Sequence, residues 1–182
     1  MNRRKAIWLG FVALVVIAAV SVKGLRAQTR EADQWNKLKF LEGTWSGSGS
    51  GSPSENISGS TTFSFDLDKQ ILVRKNRAEL AKKSGDKAPA VHEDLMIVYR
   101  ESGNANPRAI YFDSEGHVIH YAVSFPTNRT AAVFESDGND KTPRFRITHS
   151  LVPDGRMEVE FSIAPPGGEF KSYVKGTVKK QR

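Results

Sequence analysis

Four histidines and one arginine are the residues of this chain best suited to chemistry: His92, His117, His120 and His149, with Arg74 in an otherwise apolar run. An imidazole can bind a metal, move a proton near neutral pH or hydrogen-bond a ligand, and spacing decides among these. His117 and His120 would share a face on a helix, but on a strand their odd separation sends them to opposite faces, so they form no local chelate. His92 and Asp94 do share a strand face. One pair falls short of the three or four ligands zinc takes, so solvated strand residues are the expectation there and no metal is expected. His120 alternates with Val118, Ala122 and Ser124, and His149 with Phe145 and Ile147, so both are expected to point inward. Each then finds a backbone carbonyl or a tyrosine as partner, or joins Arg74 and Asn76 in orienting a ligand inside a mostly apolar cavity. Arg74 shares its face with Leu72, Asn76, Ala78 and Leu80. A guanidinium there needs a partner: Glu79 or Asp94 as an ion pair, or the carboxylate of a bound acid.

Familiar catalytic patterns fail. In Gly47-Ser48-Gly49-Ser50-Gly51 the serines fall at the wrong positions for a nucleophile elbow, and no strand-to-helix turn follows. The same stretch lacks the third glycine of a dinucleotide loop and the Gly-Lys of a P-loop. His92-Glu93-Asp94-Leu95-Met96 breaks the zincin pattern at its fifth residue. The chain has no cysteine, which removes thiolate nucleophiles, iron–sulfur clusters and cysteine zinc sites.

The elements that must position these residues are strands. Phe40 to Gly51, FLEGTWSGSGSG, carries a short helical approach, a glycine, one large aromatic and then small residues alternating with serine. Alone, the Gly/Ser tract would be a linker. Its neighbours are a helical stretch with Trp35, Leu38, Phe40 and Leu41, and the β-branched and aromatic run Ile57 to Leu67, so it is expected to be a first strand. Turn signals then divide the chain into ten strands: 43–51, 57–68, 70–80, 91–101, 107–114, 117–126, 129–136, 143–152, 155–164 and 170–180. Connections this short make an antiparallel meander. Met157, Val159, Phe161 and Ile163 alternate with Glu158, Glu160 and Ser162, so one face is in and one is out. Period-2 patterning fits a sandwich or a barrel; sequential hairpins and the protection of strand edges favour a closed barrel. A helix at about 31–41 would plug one end, with Trp45 beneath it.

Before this body stand Arg3, Arg4 and Lys5, an apolar run from Ala6 to Val22, and Leu25-Arg26-Ala27. That is the layout of a secretory signal peptide over residues 1–27, leaving 28–182 as a single exported domain, periplasmic or extracellular. The run is just short of the roughly 20 residues that span a bilayer, so an uncleaved anchor is the alternative, and membrane contact is expected through this segment only. The formal charge is +7, but five basic residues lie in that segment; removing them leaves 22 basic against 20 acidic residues. Such a balance is no footprint for a polyanion, and no nucleic-acid partner is expected.

Laid out this way, FLEGTWSGSGSG resembles the Gly-x-Trp opening of calycin-like barrels, and ten strands with a leading helix are similar to the nitrobindin-like and fatty-acid-binding-like members. The stretches ILVRKNRAEL, VHEDLMIVY and IYFDSEGHVIHY resemble those of exported bacterial proteins of this kind. The resemblance implies an interior that holds a hydrophobic ligand, or haem in nitrobindins, whose axial histidine sits on the last strand. The match puts Tyr173 at that position. Tyrosinate ligates ferric haem in catalase, but Tyr173 shares its strand face with Lys171, Lys175 and Thr177 and is expected outside, so no cofactor is expected.

The expectation is therefore an all-β, calycin-like barrel binding a small, largely apolar ligand, with a carboxylate head as one option. Leu72, Arg74, Asn76, Tyr111, His120 and His149 are the candidate ligand-binding residues. Two alternatives stay open. One is an isomerase or cyclase in which His120 or His149 is the general base. The other is a filled barrel acting through its outer surface.

Overall fold

The structure, a computed structural model, describes residues 34–52, 56–81, 88–102, 104–139 and 141–182. The segment read as a signal peptide lies outside them. Ten strands follow a helical segment at 34–41, whose last part, Lys37–Leu41, is a 3-10 helix. They are β1 Gly43–Gly51, β2 Ile57–Asp66, β3 Ile71–Leu80, β4 Ala90–Tyr99 and β5 Arg108–Asp113, then β6 Val118–Ser124, β7 Ala131–Ser136, β8 Arg144–Leu151, β9 Met157–Ala164 and β10 Lys171–Lys180. Each pairs antiparallel with its sequence neighbours, and β1 pairs with β10, so the sheet is a closed barrel. The Gly/Ser tract is a full strand, as its flanking elements imply. Closure leaves no free edge for aggregation.

The registers fix which side chains face the bore, because directly paired residues share a face. Trp45 pairs with Thr61, Thr61 with Asn76, Asn76 with Asp94 and Asp94 with Asp113. On the far wall Ala132 pairs with His149 and His149 with Val159. All of these positions point inward. A Cβ on Gly47 would collide with the Thr177 carbonyl oxygen of β10, so the glycine permits a backbone approach that closure requires.

The helical segment seals one end. Leu38 and Leu41 are buried against the core that holds Trp45, and the Trp45 indole N–H donates to the Leu41 carbonyl at 2.8 Å. Trp35 packs on Phe65 from the same segment. This satisfies the Trp45 donor while its ring fills the base of the bore.

Candidate functional site

The bore has two halves. Near the helix, the inward side chains of Trp45, Phe63, Leu72, Met96, Phe134 and Met157 are at most 2% exposed, so that half is packed shut. Toward the other end, the inward residues Ile57, Ala78, Leu80 and His92 on one side, and Phe145, Val159, Phe161 and Val174 on the other, are all partly exposed. A side chain that points inward and still meets solvent lines an open space. At the rim, the tips of β1, β2 and β3 border an open hollow of about 460 Å³ whose lining takes in the inward Gly49, Ile57 and Leu80 and the outward Ser48, Ser58 and Glu79.

A polar ladder runs up one wall of this open half, on β2 to β5. Asp94, with a side chain only 3% exposed, accepts from Arg74 Nη1 at 2.5 Å and from Asn76 Nδ2 at 2.8 Å. Arg74 Nε also donates to Thr61 at 3.2 Å. His92 Nε2 stands 3.1 Å from the Tyr111 hydroxyl and 3.5 Å from Asp94, while its Nδ1 stands 3.0 Å from Glu115. Hydrogen bonding to Asp94 raises the His92 pKa to about 9 against the opposing effect of burial, with Glu115 adding to the rise, so His92 is charged at neutral pH. Burial, then the nearby Asp94 and Asp113 charges, push the Tyr111 phenol well above its usual range, and it remains a neutral hydrogen-bonding group. The facing wall is aromatic: Phe145 stacks on Phe161 at 6.1 Å, and Phe161 meets Tyr173 edge-on at 5.9 Å.

At the rim beside the ladder, the β5–β6 turn gathers Asp113, Glu115 and His117, with one donor atom from each within 4.8 Å of the others. Asp113 Oδ1 accepts the backbone N–H groups of Glu115 and His117, at 3.0 and 2.9 Å, and its Oδ2 lies 2.8 Å from His117 Nδ1. Burial works to raise the Asp113 carboxyl, but these hydrogen bonds outweigh it and hold it below its ordinary value. Oxygen and imidazole donors in this arrangement could ligate a divalent cation.

Of the six candidate residues, the structure brings Arg74, Asn76 and Tyr111 together on the polar ladder. Leu72 also faces inward, but in the sealed half. Arg74 has Asp94 as its partner, the structural ion pair among the options the sequence left open. His120 is a correction: it is exposed on the outer wall, because Ile119, Tyr121 and Val123 take the inward positions of β6, one residue out of phase with the expected alternation. His149 does point inward, yet it is fully buried between the rings of Phe63 and Phe134, at 5.3 and 5.8 Å, and neither ring nitrogen has a partner among the described residues. The backbone carbonyl or tyrosine expected for it is not there. Burial, reinforced by the Arg74 charge, lowers its pKa to about 3. A general base needs reach and a pKa near working pH. His120 lies outside the bore and His149 is sealed.

His92 and Asp94 are a second correction: the pair expected to be solvated lies inside, with Asp94 buried and His92 at the core of the ladder. The signal available in the sequence was their shared face with Met96 and Val98. Tyr173 is a third. A β-bulge between Ser172 and Val174 turns Tyr173 and Val174 to the same side as Phe161, off the face of Lys175 and Thr177. Its inward turn does not make a haem cradle, since the phenol packs on Phe161 and a Cβ on the nearby inward Gly49 or Gly51 would strike β10 backbone rather than fill a gap.

Comparison with known proteins places this geometry. The chain matches no protein-family profile and no curated protein. Among solved structures it superimposes on Rv2717c from M. tuberculosis with a TM-score of 0.56 at 13% identity, covering 80% of this chain and 98% of that one. The likeness is one of fold alone. A de novo designed fluorescence-activating β-barrel gives a TM-score of 0.38 at 10% identity, over 79% of this chain and 96% of the design, a value too low to carry an argument.

Proposed function

We propose that this is an exported binding protein of the calycin-like type that holds a small, largely apolar ligand in the half of the barrel away from the helix. The observation that carries the reading is the partial exposure of every one of these inward-facing residues there, against the near-complete burial of Trp45, Phe63, Leu72, Met96, Phe134 and Met157 in the helix half. The aromatic and aliphatic wall of Phe145, Val159, Phe161 and Val174 suits an apolar body, and the ladder supplies a few convergent polar groups, the usual composition of a ligand site. Arg74 is neutralised by Asp94 and the charged His92 by Glu115, so the head group that fits is an uncharged hydrogen-bonding one rather than a carboxylate anchored on Arg74. Export rests on the layout of residues 1–27. His92 is the inward histidine of the open half, and because Asp94 and Glu115 hold it protonated it serves as a hydrogen-bond donor there rather than as the general base of an isomerase or cyclase.

The test is displacement of the apolar dye 1-anilinonaphthalene-8-sulfonate by 1-octanol and by octanoate. Octanol is expected to compete more strongly than octanoate, and Ala78→Trp, which projects into the open half, is expected to weaken dye binding at least tenfold while Ser64→Trp, on the exposed outer face of β2, leaves it unchanged. Dye binding that ignores Ala78→Trp overturns the reading.

A further inference from the structure

We propose that the end of the barrel sealed by the helical segment is a docking surface for the anionic headgroups of a lipid bilayer, with Leu67 as its apolar wedge and the exposed lysines and arginines of that end as its cations. The surface lies opposite the open mouth and is independent of what the bore holds. The antiparallel meander puts the β2–β3, β4–β5, β6–β7 and β8–β9 connections and the end of β10 on the same side as the start of β1. Ring contacts fix that placement. Trp35 of the helical segment packs on Phe65 beside the β2–β3 turn, and Arg100 of the β4–β5 connection lies over Trp35 at 4.8 Å. Lys37 lies over Phe125 of the β6–β7 connection at 5.7 Å, and Lys180 over Trp45 at 5.5 Å.

The charges of this end are one-sided. Lys37, Lys39, Lys69, Arg100, Arg129 and Lys180 are all exposed, and none has an ion-pair partner among the described residues. With Arg156, Lys179 and Arg182 the end carries nine basic side chains against five acidic ones, Glu42, Asp66, Asp68, Glu101 and Asp154, and Asp154 is already taken up by Arg156. At the mouth the described residues carry no such excess: Asp113, Glu115, Asp137 and Glu169 stand against Lys141, Arg144 and Lys171. Basic side chains held close to an anionic leaflet add their attractions, which reach about a Debye length from the surface.

Charge alone describes a solvated face; the β2–β3 turn adds an apolar element. Leu67 is 65% exposed, the most exposed of the large hydrophobic side chains. Leu67, Asp68 and Lys69 have φ of 48°, 53° and 62°, three consecutive residues in the left-handed region that side chains disfavour, and among the described residues they are the non-glycine residues with positive φ. Hydrogen bonds pin this turn: the Gln70 N–H donates to the Asp66 carbonyl at 3.1 Å, and Asp66 Oδ1 accepts the Leu67 N–H at 2.6 Å. A leucine is thus held out in water on a strained, fixed turn that also carries a lysine, and an apolar side chain among cations is the combination that enters the headgroup layer. A protein partner would ask for a contiguous apolar core, which one leucine in a field of cations does not offer. The apolar run Ala6 to Val22 lies upstream of the helical segment, so an uncleaved anchor would bring this same end to the bilayer.

The test uses the full chain, which has no cysteine, so one introduced cysteine takes one nitroxide label. Labels at Gln70→Cys, on the β2–β3 turn, and at Glu169→Cys, at the mouth, are read for access to a water-soluble nickel chelate on vesicles of phosphatidylcholine, alone or with phosphatidylglycerol added. The anionic lipid is expected to cut access at position 70 roughly threefold or more and to leave position 169 unchanged. Lys37→Glu, Lys39→Glu and Lys69→Glu together should restore access at position 70, and Leu67→Ser should restore part of it. The two vesicle compositions are compared on one and the same labelled chain, so no folding defect of a charge variant can blur that reading. Equal access at the two labels on the anionic vesicles, the same protection of position 70 on phosphatidylcholine alone, or protection that survives the triple charge reversal overturns the proposal.

Discussion

One set of ten strands builds two different interiors. Around the helix, the inward positions carry Trp45, Phe63, Leu72, Met96 and Phe134, large side chains that meet across the bore and exclude water. Further along the same strands the inward positions become Gly49 on β1, Ala78 on β3, His92 on β4 and Val174 on β10, too small or too polar to close the gap. Closure of the sheet is therefore independent of filling. The barrel is held by its hydrogen-bonded ladder and its sealed half, which leaves the composition of the open half free to serve another purpose.

Substitutions can break this contrast. Trp45→Ala should cost about 4 kcal/mol, since it empties a sealed position and leaves the Leu41 carbonyl without its donor, whereas Phe161→Ala at the open wall should cost about 1–2 kcal/mol. Urea midpoints for the two variants measure the difference, and equal costs would mean the halves are packed alike. Arg74→Leu should cost about 3 kcal/mol by taking from buried Asp94 its closest cationic partner, leaving it Asn76 and the longer contact to His92, and adding Asp94→Leu should recover most of that loss. A double variant no more stable than the single one would show that the pair is not coupled as its 2.5 Å contact implies.

His149 sharpens the contrast through pH. Its folded pKa of about 3 lies below the ordinary 6.5, so between those values the unfolded chain binds the extra proton. Stability from this group is full above pH 6.5 and is lost as pH falls toward 3. Between pH 6.5 and 4.5 the loss should be roughly 2–3 kcal/mol. His149→Phe should remove that part of the pH dependence in equilibrium unfolding, and a variant with the same slope as the parent would show that the imidazole is not sealed. The smallest effect belongs to the mouth: Ala78→Trp should change stability by less than about 1 kcal/mol, while Ala109→Trp, the same change at a fully buried inward position, should prevent folding.

The architecture was legible because strand ends are written locally. Gly155, Gly167 and the Asp113 to Gly116 turn stop strands where the sequence places turn residues, and each predicted strand matches an observed one within about two residues at either end. The site was legible in part. Arg74 and Asn76 stood out as polar residues on an apolar face, and Asp94 was named as a partner. His120 misled because β6 is short and its outer face carries Val118 and Ala122, so apolar residues stand on both faces. Tyr173 was hidden by a bulge, which shifts strand phase by one residue without any glycine or proline to announce it. The rim cluster was out of reach, because whether His92 stands next to Glu115 depends on a cross-strand register that single-strand periodicity does not contain.

The central claim, that one half of the bore is open to a ligand and the other is not, is most directly tested by methyl NMR of the protein titrated with 1-octanol. The account predicts shifts at Ile57, Leu80, Val159 and Val174 and none at Leu72, Val98 and Val123. Shifts confined to outer-wall methyls, shifts in the helix half, or no shifts at all would contradict it.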